Sequence, residues 1–387
     1  MASALPDQSD NERHSGSNLP AANSRAHPPR SGRIIGLDIA RAFSIIGMAI
    51  VNFKITMSAE AAGPTWLRSF AAIFDGRAAA TFVVLAGVGA SLGSQRQRES
   101  GNSKARRSAR WTLAKRALFL FVIGWAFYPI WPADILHYYG IYLAIGALVL
   151  FASNRTLLTL GFGAVTASFV FIVTFDPFAN WNLDDYSYRG ITTAAGFIRN
   201  LFLDGFHPVL PWVAFYLFGM WLGRTDLRNP VWRRTLAIRA AVVVAIAEGA
   251  AWIVLGPKGS NLDDLDGESW RWLFSVEPIP PLPMYLAAGA GTAVLVIIGS
   301  IWLGDHLDAR LTEPLVSTGQ LALTIYVGHV LIGMGTLEAF GRLEDQTLEW
   351  AVGTSLIFSA TAILFSWLWR RRFDRGPLEA LMRRVAG

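Results

Sequence analysis

Apolar residues along this chain gather in long runs separated by short polar, basic or Gly/Pro-bearing segments. The runs lie at roughly 34–57, 70–94, 112–130, 134–152, 157–175, 206–223, 235–255, 283–303, 314–337 and 350–369. Each approaches the ~20 residues that an α-helix needs to cross ~30 Å of hydrocarbon. The pattern therefore predicts an all-α, polytopic integral membrane protein of about ten transmembrane helices. Residues 1–32 are rich in Ser, Asn, Pro, Ala and Arg without apolar periodicity, and are expected to be a disordered tail. They lack the apolar core and small-residue cleavage site of a secretory signal. Residues 33–370 form the expected transmembrane domain, and 371–387 a basic tail.

Composition supports the membrane reading, since 53% of residues are hydrophobic and only 16% charged, against about 25% charged in a soluble globule. The net charge of +6 does not call for nucleic acid, because the basic residues sit between the apolar runs. Assigning alternate loops to the two faces puts 25 basic residues on one side and six on the other, Arg68, Arg189, Arg199, Lys258, Arg271 and Arg342. By the positive-inside rule the rich side is cytoplasmic, and an even number of helices leaves both termini there. The poorer side carries Asp184-Asp185 and Asp263-Asp264-Leu265-Asp266. Its two longest loops, 176–205 and 256–282, either cap a site or simply carry an interfacial aromatic belt. Arginine far outnumbers lysine, as in GC-rich bacterial genomes, so the expected location is a bacterial inner membrane. With no cysteine in the chain, disulfides, thiolate nucleophiles and cysteine metal sites are excluded.

Ionisable groups inside apolar helices are costly and mark pathways or sites by default. Asp38 and Arg41 stand three apart near the cytoplasmic end of the first helix, placed to pair. They read equally as a structural ion pair or as the lining of a cytoplasmic mouth. Asn52 lies near the other end, with Lys54, which is also placed to snorkel. Asp75 and Arg77 open the second helix at similar depth. Further along that helix, Gly87 and Gly89 read as small residues for close helix contact, since no strand precedes them as a phosphate loop requires. Asp134 and His137, three apart, suit a carboxylate-oriented general base or a helix N-cap with an interfacial histidine. His207 opens the sixth run, and His329 is expected deep in the ninth, beside Gln320, Thr324 and Tyr326. The histidines show no i, i+4 ligand pair, so no metal is expected. No Gly-x-Ser-x-Gly elbow supports a serine hydrolase.

The stretch Arg33-Ile34-Ile35-Gly36-Leu37-Asp38-Ile39-Ala40-Arg41-Ala42, continuing to Val51-Asn52, resembles the first helix of the transmembrane acyltransferase superfamily. Within it the similarity is to heparan-α-glucosaminide N-acetyltransferase-like and YeiB-like bacterial membrane proteins. Asp75-Gly76-Arg77, Asp134-Ile135-Leu136, His207-Pro208, Leu210-Pro211-Trp212, Gly219, Gly223-Arg224, Gly319-Gln320-Leu321-Ala322-Leu323-Thr324 and Arg375-Gly376-Pro377-Leu378-Glu379 extend the resemblance to about residue 381. It implies transfer of an acyl group, usually acetyl, from cytosolic acyl-CoA to an envelope sugar or amino sugar beyond the membrane. It also implies an active-site asparagine at Asn52 and a catalytic histidine between Asn52 and Asp75. That interval holds no histidine, only Lys54, Glu60 and Trp66 among notable side chains.

Under this reading His137 oriented by Asp134, or His207, is the expected base, with His329 a further candidate. Asn52 and Arg77 are the expected oxyanion donors, with Asp75 close by. Asp38 and Arg41 line the acyl-CoA mouth, where the 94–116 basic segment attracts phosphates or serves only as a topology signal. The partners expected are the lipid bilayer, acetyl-CoA or another acyl-CoA, and a glycan acceptor, without metal or nucleic acid. The alternatives are a small-molecule transporter, for which no internal repeat speaks, and a non-catalytic scaffold.

Overall fold

A computed structural model describes residues 33–59, 63–182, 187–256 and 270–387. The expected disordered tail and the acidic loop runs lie outside the described residues. Residues 34–387 form one helical unit. In chain order it comprises α1 (Gly36–Thr56), α2 (Thr65–Ala72), α3 (Arg77–Gly93), α4 (Gln95–Ser100), α5 (Ser103–Phe127), α6 (Leu136–Val149), α7 (Asn154–Thr174), α8 (Ala194–Arg199) and α9 (Val209–Leu222). There follow α10 (Pro230–Leu255), α11 (Pro283–His306), α12 (Ala309–Gln320), α13 (Ala322–Gly328), α14 (Gly335–Ala339), α15 (Leu348–Arg370) and α16 (Pro377–Ala386). A two-residue antiparallel pair, Trp181–Asn182 with Ser187–Tyr188, is the sheet among the described residues.

Helix starts follow local chemistry. Ser153, Asn229, Asp308 and Thr347 each accept a backbone N–H of the helix they open, satisfying donors that the helix itself cannot. Pro230 follows Asn229 at a position where its missing N–H costs nothing. Gly76 precedes α3 at φ 64°, and a Cβ there would stand 2.6 Å from both Pro278 and the Tyr285 hydroxyl. Conformation and space both demand glycine at that turn.

All ten apolar runs overlap helices, but those helices are not equivalent. Among the described residues seven spans are long and apolar enough to cross a membrane: α1, α2–α3, α7, α10, α11, α13–α14 and α15. The segment Ala194–Asp204 with α9 forms an eighth if the pair, bent by 47°, is one span. The runs at 112–130 and 134–152 fall short for physical reasons. The first half of α5 carries Lys104, Arg106, Arg107, Arg110, Lys115 and Arg116. With 14 residues, α6 is only about 21 Å long. The chain is a multi-pass membrane protein whose count of crossings depends on these two helices. The expected basic tail contains a helix, α16, that packs on α5 and α13.

At the centre, α1 packs against α3, α11, α12, α13 and α15. The helices α3 and α9 cross closely, because a Cβ on Gly87 would meet the Tyr216 carbonyl at 2.1 Å and one on Gly219 the Val84 carbonyl at 2.1 Å. Gly87 thus serves the close contact its sequence predicts. Gly89 instead lies beside the Arg41 guanidinium, 3.6 Å from where its Cβ would be. Tyr138, Tyr142, Trp212, Phe215, Tyr216 and Tyr285 fill the core between α3, α6, α9 and α11.

Candidate functional site

Asn52 sits one turn before the end of α1, on a half-buried face. Its side-chain nitrogen lies 2.9 Å from His329 Nε2. On the other side of the ring, Nδ1 contacts the backbone carbonyl of Tyr326. A carbonyl only accepts, so Nδ1 carries the proton and the Nε2 lone pair of the neutral ring accepts from Asn52. The tautomer is therefore dictated by its partners. Local chain geometry assists: α13 ends at Gly328, and His329 begins a π-helical stretch to Met334, an irregularity that recurs at functional positions.

One turn back on the same helix, the Tyr326 hydroxyl donates to Asp134 Oδ1 at 3.1 Å and accepts from the Ile135 amide at 3.1 Å. Asp134 Oδ2 accepts from the Leu136 amide at 2.8 Å and lies 3.2 Å from His137 Nδ1. Asp134 is fully buried and His137 and His329 are at most 2% exposed. Asp134 thus accepts from the first turn of α6 and lies against His137 at once, and His137 is buried rather than interfacial. The His137 ring lies among Trp125, Tyr128 and Tyr138.

A largely apolar cavity of about 600 Å³, open solvent at its mouth included, brings Asn52 and Tyr326 opposite His207 and Trp212. Buried His207 Nδ1 has no hydrogen-bond partner among the described residues, while the His207 carbonyl accepts from Tyr142 at 2.5 Å. The turn before His207 is braced from the loop. Asp204 accepts from Tyr188 at 2.7 Å and Arg199 at 2.5 Å, and its carbonyl from Trp181 at 2.7 Å. Burial, and then the bond to Asp204, raise the Tyr188 hydroxyl above its ordinary ionisation range.

The guanidinium of Arg77, expected as an oxyanion donor with Asn52, pairs instead with Glu248 of α10 and reaches the Asp75 carbonyl at 3.3 Å. Burial inside an apolar bundle leaves that charge no state except a paired one. Asp75 is likewise engaged, with Lys54 at 2.7 and 2.8 Å, so Lys54 turns inward rather than snorkelling. His207 lines the cavity, whereas His137 does not, and His329 adjoins it through Asn52.

Asp38 and Arg41 do pair, at 2.6 Å, but fourteen and eleven residues before Asn52, about 16–21 Å away along α1. At that end a second, more polar cavity of about 790 Å³ lies between α3 and α5, walled by Gly89, Ser94, Gln97, Ser108, Thr112 and Arg116. Arg116 Nε and Gln97 Oε1 are buried there without a partner among the described residues.

A family model described as heparan-alpha-glucosaminide N-acetyltransferase, catalytic, matches residues 33–253, more than half the chain. The chain belongs to that family. A second model, protein of unknown function (DUF418), matches residues 220–387. A search of curated proteins finds no match. The membership supports a membrane acyltransferase. Asn52, Asp75, Arg77, Asp134, His137 and His207 lie in the acetyltransferase-family segment, whereas His329 and Tyr326 lie in the other. The Asn52–His329 pair thus joins the two matched regions across 277 positions. The sequence displays each polar residue but not this partnership. Glu248 is the ion-pair partner that the sequence reading missed, although a lone acid in an apolar run is itself a signal.

Proposed function

We propose that the chain transfers an acyl group, acetyl in the first instance, from acyl-CoA to an extracytoplasmic sugar or amino sugar of a bacterial envelope. The observation that carries this reading is the Asn52–His329 pair, with its tautomer held by the Tyr326 carbonyl, beside an apolar cavity. It sets an imidazole against Asn52, while the interval from Asn52 to Asp75 lacks the histidine that the resemblance implies. His329 Nε2 takes the acceptor's N–H or O–H proton as the acceptor nitrogen or oxygen attacks the thioester carbonyl. Asn52 releases Nε2 as the acceptor arrives and turns its N–H groups towards the developing oxyanion. Collapse of the tetrahedral intermediate breaks the C–S bond, and the CoA thiolate recovers the proton from the imidazolium.

The basic-residue asymmetry supports ten crossings with both ends cytoplasmic, α5 and α6 crossing with help from their neighbours. The polar cavity, with Arg116 and the nearby Arg41–Asp38 pair, then opens to the cytoplasm and suits CoA phosphates. His207 is the imidazole that lines the acceptor cavity, and it is the competing base. His137 acts through its aromatic neighbours and Asp134 to hold that wall. A transporter is the second reading, favoured by the bent pair of α8 and α9.

The test begins with the melting temperature of detergent-purified protein with acetyl-CoA, with free CoA as control. A donor at a hundredfold excess over Kd stabilises by about 2.7 kcal/mol. Transfer of labelled acetyl to an amino-sugar panel follows, and His329→Gln and Asn52→Ala are expected to lose about a hundredfold in kcat/KM. Full activity in His329→Gln with loss in His207→Ala moves the base to His207. No melting shift with either ligand and no transfer favour the transporter.

A further inference from the structure

Two motifs, Gly319–Thr324 and Arg375–Glu379, take no part in the chemistry just described, yet they interlock. Helix α13 has no side-chain cap from its own N-cap residue, Leu321. The acceptor comes from α16. Glu379 Oε1 accepts from the Leu323 amide at 2.7 Å and the Thr324 amide at 3.0 Å, and Oε2 accepts from the Thr324 hydroxyl at 2.6 Å. The same hydroxyl accepts from the Leu378 amide at 3.2 Å. The approach needs glycine at 376, where a Cβ would stand 2.1 Å from Glu379 Oε2 and 2.7 Å from Thr324 Oγ1. Glu379 is the third residue of α16, the position from which a glutamate ordinarily reaches back to its own N-cap. Here it serves another helix.

The helical path breaks at Leu321 (φ −101°, ψ 25°) before α13, and the π-helical stretch follows from His329. Besides its packing on α1, α13 is held by the Glu379 cap at one end and the Tyr326–Asp134 bond near the other. From this geometry we infer that Glu379 is a positioning residue, fixing α13 so that His329 Nε2 meets Asn52. The inference rests on the reading of His329 as the acting base. Removing the cap frees two backbone donors and lets α13 slide or turn by a fraction of a turn. A displacement near 1 Å at a reacting group costs about a hundredfold in rate.

The test uses the full chain in detergent, labelled with ¹⁵N in its six histidines, the His329 signal being assigned by its loss in His329→Gln. At neutral pH the wild type is expected to show His329 protonated at Nδ1. Glu379→Ala and Thr324→Val are expected to give mixed tautomers, and kcat lower by about ten- to a hundredfold with acetyl-CoA Kd unchanged. Thr324→Ser, which keeps the hydroxyl, is expected to behave as wild type. If Glu379→Ala does not fold, Thr324→Val decides alone, since it removes the bond to Glu379 Oε2 and leaves both amides capped. A fall in melting temperature with the His329 signal and kcat per folded molecule unchanged overturns the positioning role. If the wild type neither binds nor uses acetyl-CoA, the proposed function fails, and the tautomer measurement still decides the role of Glu379.

Discussion

The first helix and the tenth are both long enough to cross a bilayer, but they live in different solvents. In α1, 72% of the spanning window is buried inside the protein, and the helix carries Asp38, Arg41, Asn52 and Lys54. In α10 only 17% is buried, and Val242, Ile246 and Ile253 are exposed. The helix with the more apolar spanning window is thus the outer one. In water the reverse ordering holds, because burial follows hydrophobicity. In a bilayer lipid tails are as apolar as leucine, so the centre is selected for packing and for polar groups with partners. Polarity in a spanning helix here signals the inside of the protein.

The sharpest way to break this comparison is the contact that crosses it. Arg77, buried on α3, pairs with Glu248, the half-buried acid of α10. Arg77→Met removes the guanidinium that pairs with Glu248, and is expected to cost about 3 kcal/mol in stability. Arg77→Met with Glu248→Leu should recover most of the loss, because lipid and neighbours accept both apolar side chains. Unfolding in detergent, followed by circular dichroism, checks both variants. A double variant as unstable as the single one would mean that the ion pair is not what couples rim to centre.

Glycines sharpen the contrast at the next level. Gly87 sits against the backbone of α9, with a carbonyl 2.1 Å from any added Cβ, while Gly249 on α10 has nothing within 4 Å. Backbone cannot yield as a flexible side chain can, so Gly87→Ala is expected to destabilise by about 2–3 kcal/mol. Gly249→Ala is expected to be neutral or to stabilise by up to ~1 kcal/mol through helix propensity. Melting temperatures of the two variants, compared side by side, give the answer.

The fold was legible wherever one physical quantity decided it. Long apolar runs mark spanning helices whatever their neighbours, and all ten overlap helices. Ambiguity enters at α5 and α6, where charge and brevity make a crossing depend on packing that sequence does not display. The site was legible in its residues and its local pairs. Asp38–Arg41 and Asp134–His137 lie three apart on a helix, so helix geometry alone brings them together. Asn52–His329, Lys54–Asp75, Arg77–Glu248 and Glu379–Thr324 depend on which helices become neighbours. Even so, a rule of pairing every charge within the membrane would have sought a partner for Arg77 and met Glu248.

The smallest expected effect asks whether centre and rim differ when no charge or backbone clash is involved. Ile50 on α1 is 1% exposed and Ile253 on α10 is 78% exposed. Valine at either position removes one methylene and keeps the β-branch, so backbone preference hardly changes. At Ile50 the missing group leaves a void among fixed neighbours, and the lost contacts are expected to cost about 1 kcal/mol. At Ile253 a lipid tail or detergent chain moves into the space, and the change is expected to stay within about 0.5 kcal/mol. Equal losses at both sites would mean that Ile253 packs against protein, as it would if a second copy of the chain covered α10. Unequal losses in the expected order would show that, for this bundle, dispersion contact rather than removal from water distinguishes the centre from the rim.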